Sequence, residues 1–115
     1  KIARFRDGAT WYIWRRPQFV QLATKIIKDI QRKFSVESYY IGEEWASIKI
    51  KFKPISGVNP ENKCEDIKCK VTGDILSKYG KQIMKLGFNI DTLYSICLYQ
   101  DGIFEYMLRM DNMQY

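Results

Sequence analysis

Apolar residues recur every three or four positions between Pro17 and Phe34, and polar residues fill the positions between them. The apolar positions are Phe19, Leu22, Ala23, Ile26, Ile27, Ile30 and Phe34. This spacing predicts an amphipathic helix that lies on a core. Pro17 suits its first turn, because the N–H that proline lacks would be unpaired there anyway. A similar pattern after Gly73 predicts a second helix that begins with Asp74 as its N-cap and ends at Gly87.

Two stretches alternate apolar and polar residues one by one, which is the period of a β-strand with one buried face. In Trp45–Lys53 the inward positions are Ile48, Ile50 and Phe52, and the outward positions are Lys49, Lys51 and Lys53. In Glu65–Val71 the inward positions are Ile67, Cys69 and Val71, and the outward positions are Asp66, Lys68 and Lys70. The segment Pro54–Lys63, which contains two prolines and a glycine, predicts a loop between them. We therefore expect the two strands to pair antiparallel and to gather five lysines on one exposed sheet face.

Shorter patterns add further strands to the predicted sheet. Val36–Ile41 is rich in residues that favour strands, and the dipeptides Asp7-Gly8 and Asp101-Gly102 favour tight hairpin turns. The first hairpin leads into an aromatic strand, Trp11–Trp14, and the second joins Leu93–Tyr99 to Ile103–Met110. Across the second hairpin, the residues expected to pack together are Tyr94, Ile96 and Leu98 with Phe104, Tyr106 and Leu108.

These elements predict a single α+β domain over residues 1–115, with a mostly antiparallel sheet and two amphipathic helices packed on one face. A chain of 115 residues that is 46% hydrophobic can bury one core of this kind. Three apolar positions recur at one constant offset, which suggests an internal βαββ repeat. They are Leu22, Phe34 and Val36, matched by Leu76, Phe88 and Ile90.

No apolar run approaches the roughly 20 residues of a membrane-spanning helix, and the N-terminus lacks the apolar centre of a signal peptide. We expect a soluble intracellular protein or an excised domain of one. The chain contains no histidine, which removes the commonest general base and the commonest metal ligand. The cysteines at positions 64, 69 and 97 do not have the spacing of a zinc site. We therefore expect no metal, no cofactor and no catalysis.

The net charge of +6 indicates a possible binding surface, because many of the positive residues are predicted to lie on one face of the sheet rather than to be scattered. The candidate site is a basic face that neutralises the phosphates of a polyanion without reading sequence. Its residues are Lys49, Lys51, Lys53, Lys68, Lys70, Arg15 and Arg16. Nucleic acid is the first expectation for the partner, and anionic lipid head groups or an acidic protein surface are alternatives. Lysines can also protect an open sheet edge from aggregation.

A second class of function is a protein–protein regulatory module, such as a small inhibitor or a kinase-associated domain. Aromatic residues and arginine are enriched in the cores of interfaces, and this chain has eight tyrosines and three tryptophans. Salt dependence separates the two classes, because phosphate binding weakens steeply with salt.

The order helix, three strands, helix resembles that of double-stranded RNA-binding domains and of the Alu-binding subunits of the signal recognition particle. The Gly-Pro-x-His loop and the Lys-Lys-x-Ala-Lys helix start of the RNA binders are missing, so the resemblance is one of topology. Asp66-Ile67-Lys68 on the predicted third strand resembles the acid-x-lysine element of PD-(D/E)xK nucleases. That resemblance implies Mg²⁺ on Asp66 and the scissile phosphate on Lys68. No Pro-Asp opens the second strand, so Glu43 or Glu44 would have to supply the second metal ligand.

Overall fold

Two helices lie on one face of a four-stranded antiparallel sheet in the computed structural model, which describes residues 16–42 and 46–110. The elements in chain order are α1 (Arg16–Lys33), β1 (Val36–Gly42), β2 (Ser47–Phe52), α2 (Pro60–Lys85), a 3-10 turn (Ile90–Thr92), β3 (Tyr94–Gln100) and β4 (Ile103–Arg109). The strand order is β1-β2-β4-β3, and every neighbouring pair is antiparallel. The predicted α+β class is therefore confirmed. The hairpin around Asp7-Gly8 and the aromatic strand Trp11–Trp14 lie outside the described residues.

Helix α1 confirms the prediction from apolar spacing to within one residue at each end. Its apolar positions from Phe19 to Ile30 are buried against the sheet, and together they form one side of the core. Arg32 and Lys33 occupy the last turn, where positive charge interacts favourably with the helix dipole. No helix among the described residues is long and apolar enough to cross a membrane.

Helix α2 corrects two predictions. Residues 65–71 are not a strand, and Asp74 does not begin a helix, because one helix of 26 residues runs from Pro60 to Lys85. It begins earlier because Asn59 is its N-cap, with a side chain that accepts a hydrogen bond of 3.0 Å from the Asn62 N–H. Pro60 follows in the first turn, where proline is favourable. The first four residues of the helix therefore belonged to the predicted loop Pro54–Lys63.

Of the three positions predicted to face inward, Ile67 and Val71 are buried but Cys69 is exposed, because a helix buries residues four apart and not residues two apart. Ile67, Val71 and Ile75 are spaced by four residues, and all three are buried on the sheet-facing side of α2. Gly73 lies in the helix interior with nothing within 4 Å of the place where a Cβ would stand. Its backbone freedom costs helix stability, but it does not end a helix whose apolar face packs on a core.

Strand β2 is one of the two inner strands of the sheet and confirms the strict alternation. Ile48, Ile50 and Phe52 are buried under the helices, whereas Lys49 and Lys51 are exposed on the opposite face. That opposite face, which the helices do not cover, is called the open face below.

The terminal hairpin confirms the predicted turn but corrects the predicted packing. Asp101 and Gly102 have φ of 53° and 83°, the left-handed backbone that a two-residue hairpin turn requires. The resulting register pairs Cys97 with Tyr106 on the helix-covered face, and it pairs Leu98 with Glu105 on the open face. Tyr94, Ile96 and Leu98 therefore do not pack with Phe104, Tyr106 and Leu108. A shift of one residue reverses the face of every side chain in a strand.

The order helix, strand, strand occurs twice in the described chain, once as α1-β1-β2 and once as α2-β3-β4. The predicted βαββ repeat also needs a strand before each helix. For the second unit, the strand predicted before the helix was Glu65–Val71. That segment is part of α2, so this part of the predicted repeat is wrong. For the first unit it falls on residues outside the described part of the chain.

Candidate functional site

The predicted basic face of five lysines does not form. Lys49 and Lys51 are exposed on the open face of the sheet, and Lys53 follows β2 directly. Lys68 and Lys70 belong to α2, which packs on the other face of the sheet. The five lysines were expected on one face because residues 65–71 were predicted to be a strand paired with β2. Those residues belong to α2, so the two segments do not pair. The remaining predicted residues are Arg16, which is the first residue of α1, and Arg15, which lies outside the described residues.

The lysines on the open face around β2 stand beside an acidic residue. Lys51 stands directly opposite Glu105 of β4, and Lys49 stands opposite Met107. The Lys49 ammonium lies 6.0 Å from the centre of the Tyr40 ring, near the limit of a cation–π contact. A phosphate that approached Lys51 would therefore also meet the Glu105 carboxylate.

The positive charge of the molecule is concentrated in the two helices. They carry eleven lysines and arginines against five aspartates and glutamates, whereas the other described residues carry four of each sign. The helices thus have an excess of six positive charges, and the strands and loops of the described part have none. The helical layer is therefore the basic side of this fold.

The helices are joined by a polar seam centred on Asp29 of α1. The Asp29 carboxylate accepts hydrogen bonds from the Tyr79 hydroxyl, from Arg32 at 2.5 Å and from Lys78 at 3.1 Å. The Tyr79 and Lys78 hydrogen bonds hold the pKa of Asp29 below its ordinary value. Burial and the Asp29 contact raise the pKa of Tyr79 to about 12. Tyr79 and Lys78 reach Asp29 from α2, whereas Arg32 reaches it from within α1, so the seam links the two helices through the Asp29 carboxylate.

A second ion pair between the helices shows the direction in which they run relative to each other. Lys33 of α1 pairs with Asp74 of α2 at 3.0 Å, while Asp29 pairs with Lys78. A later residue of α1 therefore meets an earlier residue of α2, which means that the helices run antiparallel. Lys25, one turn before Asp29, accordingly lies beside the part of α2 that follows Lys78.

One end of the helical layer contains no acidic residue. This basic end consists of residues 16–28 of α1 and residues 75–85 of α2, which antiparallel packing brings side by side. Its exposed lysines without a salt bridge to any described residue are Lys25, Lys28, Lys81 and Lys85. The basic end therefore combines four exposed ammonium groups without a salt bridge to any described residue.

The opposite end of α2 is electrostatically mixed. Asp66 pairs with Lys70 at 3.4 Å and lies 3.7 Å from Lys63, and two glutamates stand nearby in sequence. Lys70, one of the predicted contact residues, is thus partly neutralised.

Asp66-Ile67-Lys68 also lies on this helix rather than on a strand, so its predicted likeness to the nuclease element is wrong in its structural placement. Residues two apart on a helix point about 200° apart, so Asp66 and Lys68 do not share a face. No group of three or more potential metal ligands occurs within residues 16–42 and 46–110.

Lys25, Lys28, Lys81 and Lys85 are not among the contact residues predicted from the sequence. The signal that could have found them is the distribution of acids, because no acidic residue occurs between Arg16 and Lys28 or between Ile75 and Lys85. Comparison of the chain with models of known families, with curated proteins and with solved structures found no match.

Proposed function

We propose that this protein is a small binding module whose basic end contacts a polyanion, with nucleic acid as the partner. The observation that supports this proposal is the segregation of charge, since the whole net excess of the described residues lies on the two helices. Lysines on a helix surface contact phosphates as point charges and carry no base-reading geometry. The expected binding is therefore insensitive to sequence and strongly dependent on salt.

Geometry favours a nucleic-acid backbone over a single small anion. The four lysines of the basic end are spread over two helices instead of converging on one pocket. They therefore suit a row of phosphates better than one phosphate group. Their side chains are exposed, so they pay little desolvation to meet such a partner.

The direct test is binding of mixed single-stranded and double-stranded RNA and DNA pools, measured by fluorescence anisotropy across a salt series. The test variant replaces four lysines by glutamine: Lys25→Gln, Lys28→Gln, Lys81→Gln and Lys85→Gln. We expect it to bind at least about tenfold more weakly at low salt and to lower the slope of log K against log salt by about 3 to 4 for duplex DNA. Its melting temperature should stay close to that of the wild type, because exposed lysines contribute little to stability.

A matched control removes the same number of charges from the residues first predicted from the sequence. It carries Lys49→Gln, Lys51→Gln, Lys53→Gln and Lys68→Gln. We expect this control to keep most of the salt slope. If the control loses binding and the helix variant keeps it, the basic end is not the site. If the wild type binds neither pool at low salt, the proposal of nucleic-acid binding fails, and anionic vesicles then test the lipid alternative.

A protein–protein interface is the second candidate, and the open face of the second hairpin favours it. Tyr94 and Leu98 of β3 remain 47% and 53% exposed, and Ile96 and Met107 lie between them on the same face. Apolar surface of this kind marks interfaces more often than scattered single residues do. A partner on this face would bind with little salt dependence, and Leu98→Asp would weaken its binding while leaving the basic end unchanged.

A further inference from the structure

Two of the three cysteines, Cys64 and Cys97, line the same cleft. This cleft, of about 460 Å³, lies between the first turns of α2 and the edge strand β3. Cys64 enters it from the helix and Cys97 from the strand, and both side chains also pack against the core. They are far apart in sequence, so only the docking of α2 on β3 brings them together.

The environments of the cysteines differ. Burial and the neighbouring thiol of Cys64 raise the pKa of Cys97 to about 12. Cys69 takes no part in the cleft, because its thiol lies 3.4 Å from the Glu65 carboxylate on the outer side of the helix. All three thiols are free in the structure.

We propose that Cys64 and Cys97 are a covalent modification site, at which a glutathione-type disulfide oxidises the two thiols to one intramolecular disulfide. The linkage would join α2 to the free edge of the sheet. This inference does not rest on the proposed function, because the cleft lies at the end of α2 away from the basic end.

The reaction is a pair of thiol–disulfide exchanges. One of the two thiols, written here as that of Cys64, loses its proton to solvent, and its sulfur attacks one sulfur of the oxidant. The oxidant's S–S bond breaks, one glutathione leaves as a thiolate, and Cys64 carries a mixed disulfide. Cys97 then loses its proton and attacks the Cys64 sulfur, which releases the second glutathione. Two protein thiols are oxidised, and one glutathione disulfide is reduced to two glutathione thiols.

The shared cleft favours the second exchange. Whichever of the two cysteines first carries the mixed disulfide, the other attacks within the same molecule, and its local concentration is high. Ring closure therefore needs no second oxidant molecule.

Closing this disulfide should stabilise the fold. The cross-linked loop runs from residue 64 to residue 97, and a loop of about 34 residues loses considerable entropy in the unfolded chain when it is closed. We expect the melting temperature to rise by about 10 °C on oxidation.

Peptide mapping tests the pairing on the wild-type protein. The protein is incubated with a glutathione disulfide and thiol mixture, the remaining thiols are alkylated, and the product is digested with trypsin. Cleavage after Lys63, Lys68 and Lys70 separates Cys64 from Cys69, and Cys97 falls on a third peptide. The expected product is a cross-linked pair that contains Cys64 and Cys97, with Cys69 alkylated.

Three variants extend the test. Cys64→Ser and Cys97→Ser should each abolish the rise in melting temperature on oxidation, whereas Cys69→Ser should keep it. A cross-link that uses Cys69, or a stable glutathione adduct on Cys64 without ring closure in the folded wild type, would overturn the proposal. Mapping needs no variant, so the proposal is tested even if a cysteine substitution impairs folding.

Discussion

The hydroxyl groups of Thr72 and Tyr106 lie 2.7 Å apart and join the middle of α2 to the central strand β4. Tyr106 is completely buried, so its polar group needs a partner inside the protein. Burial raises the pKa of Tyr106 to about 12, and the Thr72 contact opposes that rise. The continuous helix α2 thus places Thr72 where its hydroxyl pairs with the buried Tyr106 hydroxyl.

Tyr106→Phe should therefore lower the free energy of unfolding by about 1 kcal/mol, because it removes the hydrogen bond and leaves the Thr72 hydroxyl without this partner. Urea denaturation followed by circular dichroism measures the change. Tyr94→Phe is the matched control, since Tyr94 is 47% exposed and should tolerate the loss of its hydroxyl. An equal loss in both variants would argue against the buried contact.

Gly73→Ala should stabilise the protein by about 0.5 to 1 kcal/mol, because alanine favours a helix interior more than glycine does. Nothing lies within 4 Å of the added Cβ, so the substitution creates no clash. Gly102→Ala is the opposite control, because its φ of 83° strains any residue with a Cβ. Chemical denaturation of both variants checks the signs. A destabilising Gly73→Ala would indicate that the chain is not helical at that position.

The seam between the helices makes stability depend on pH at both extremes. The pKa of Tyr79 is raised in the folded state, so its contribution is fully present below about pH 10 and is lost as the pH rises toward 12. The pKa of Asp29 is lowered in the folded state, so its contribution is present above the ordinary carboxyl range and is lost as the pH falls.

Tyr79→Phe isolates the contribution of Tyr79 to the pH dependence at alkaline pH. Tyr106 also has a pKa of about 12, but both proteins contain it, so its contribution cancels in the comparison. We expect the variant to be less stable by about 1 kcal/mol at pH 7, where the pair is partly exposed to solvent. That difference from the wild type should shrink between pH 10 and pH 12. Urea midpoints across this range give the result, and a constant difference would exclude titration of the Tyr79 hydroxyl as the cause.

Ile50→Asp should abolish folding, because it places an unpaired charge at a fully buried position in the centre of β2. Lys49→Asp introduces the same side chain one residue earlier on the open face, so it should leave the fold intact. Far-ultraviolet circular dichroism separates the two outcomes. A folded Ile50→Asp protein would contradict the assignment of Ile50 to the core.

The sequence predicted elements well wherever only one periodicity fits. Pro17–Phe34 is too long and too regular in its three- and four-residue spacing for a strand, and β2 alternates too strictly for a helix. In residues 65–71, Ile67 and Val71 fit both periods, and the choice between them depended on Asn59, the N-cap that lies six residues before the segment. The packing of the second hairpin was missed because β3 is apolar on both faces, so its composition does not indicate which side is buried.

The predicted basic face followed from the first of those errors. Lysines at alternate positions of a strand lie on one face, so they are easily recognised in a sequence as a possible binding surface. Lys25 and Lys81 belong to different helices, so their proximity to a common surface depends on how α1 and α2 pack. Tertiary docking of this kind cannot be predicted from local patterns. The sequence does show that the two helical segments of the basic end lack acidic residues, but it does not show that these segments lie side by side.

The strand order β1-β2-β4-β3 has a consequence for folding kinetics. Each half of the described chain, residues 16–52 and residues 60–109, is a helix followed by a hairpin, so most of its contacts are local. The halves meet where Ile48 pairs with Leu108, which are far apart along the chain. Pairs of this kind form late and slowly, since a long loop must close first. Docking of the two halves should therefore limit the folding rate, and two fragments separated within the exposed stretch 56–59 should recombine into the native sheet.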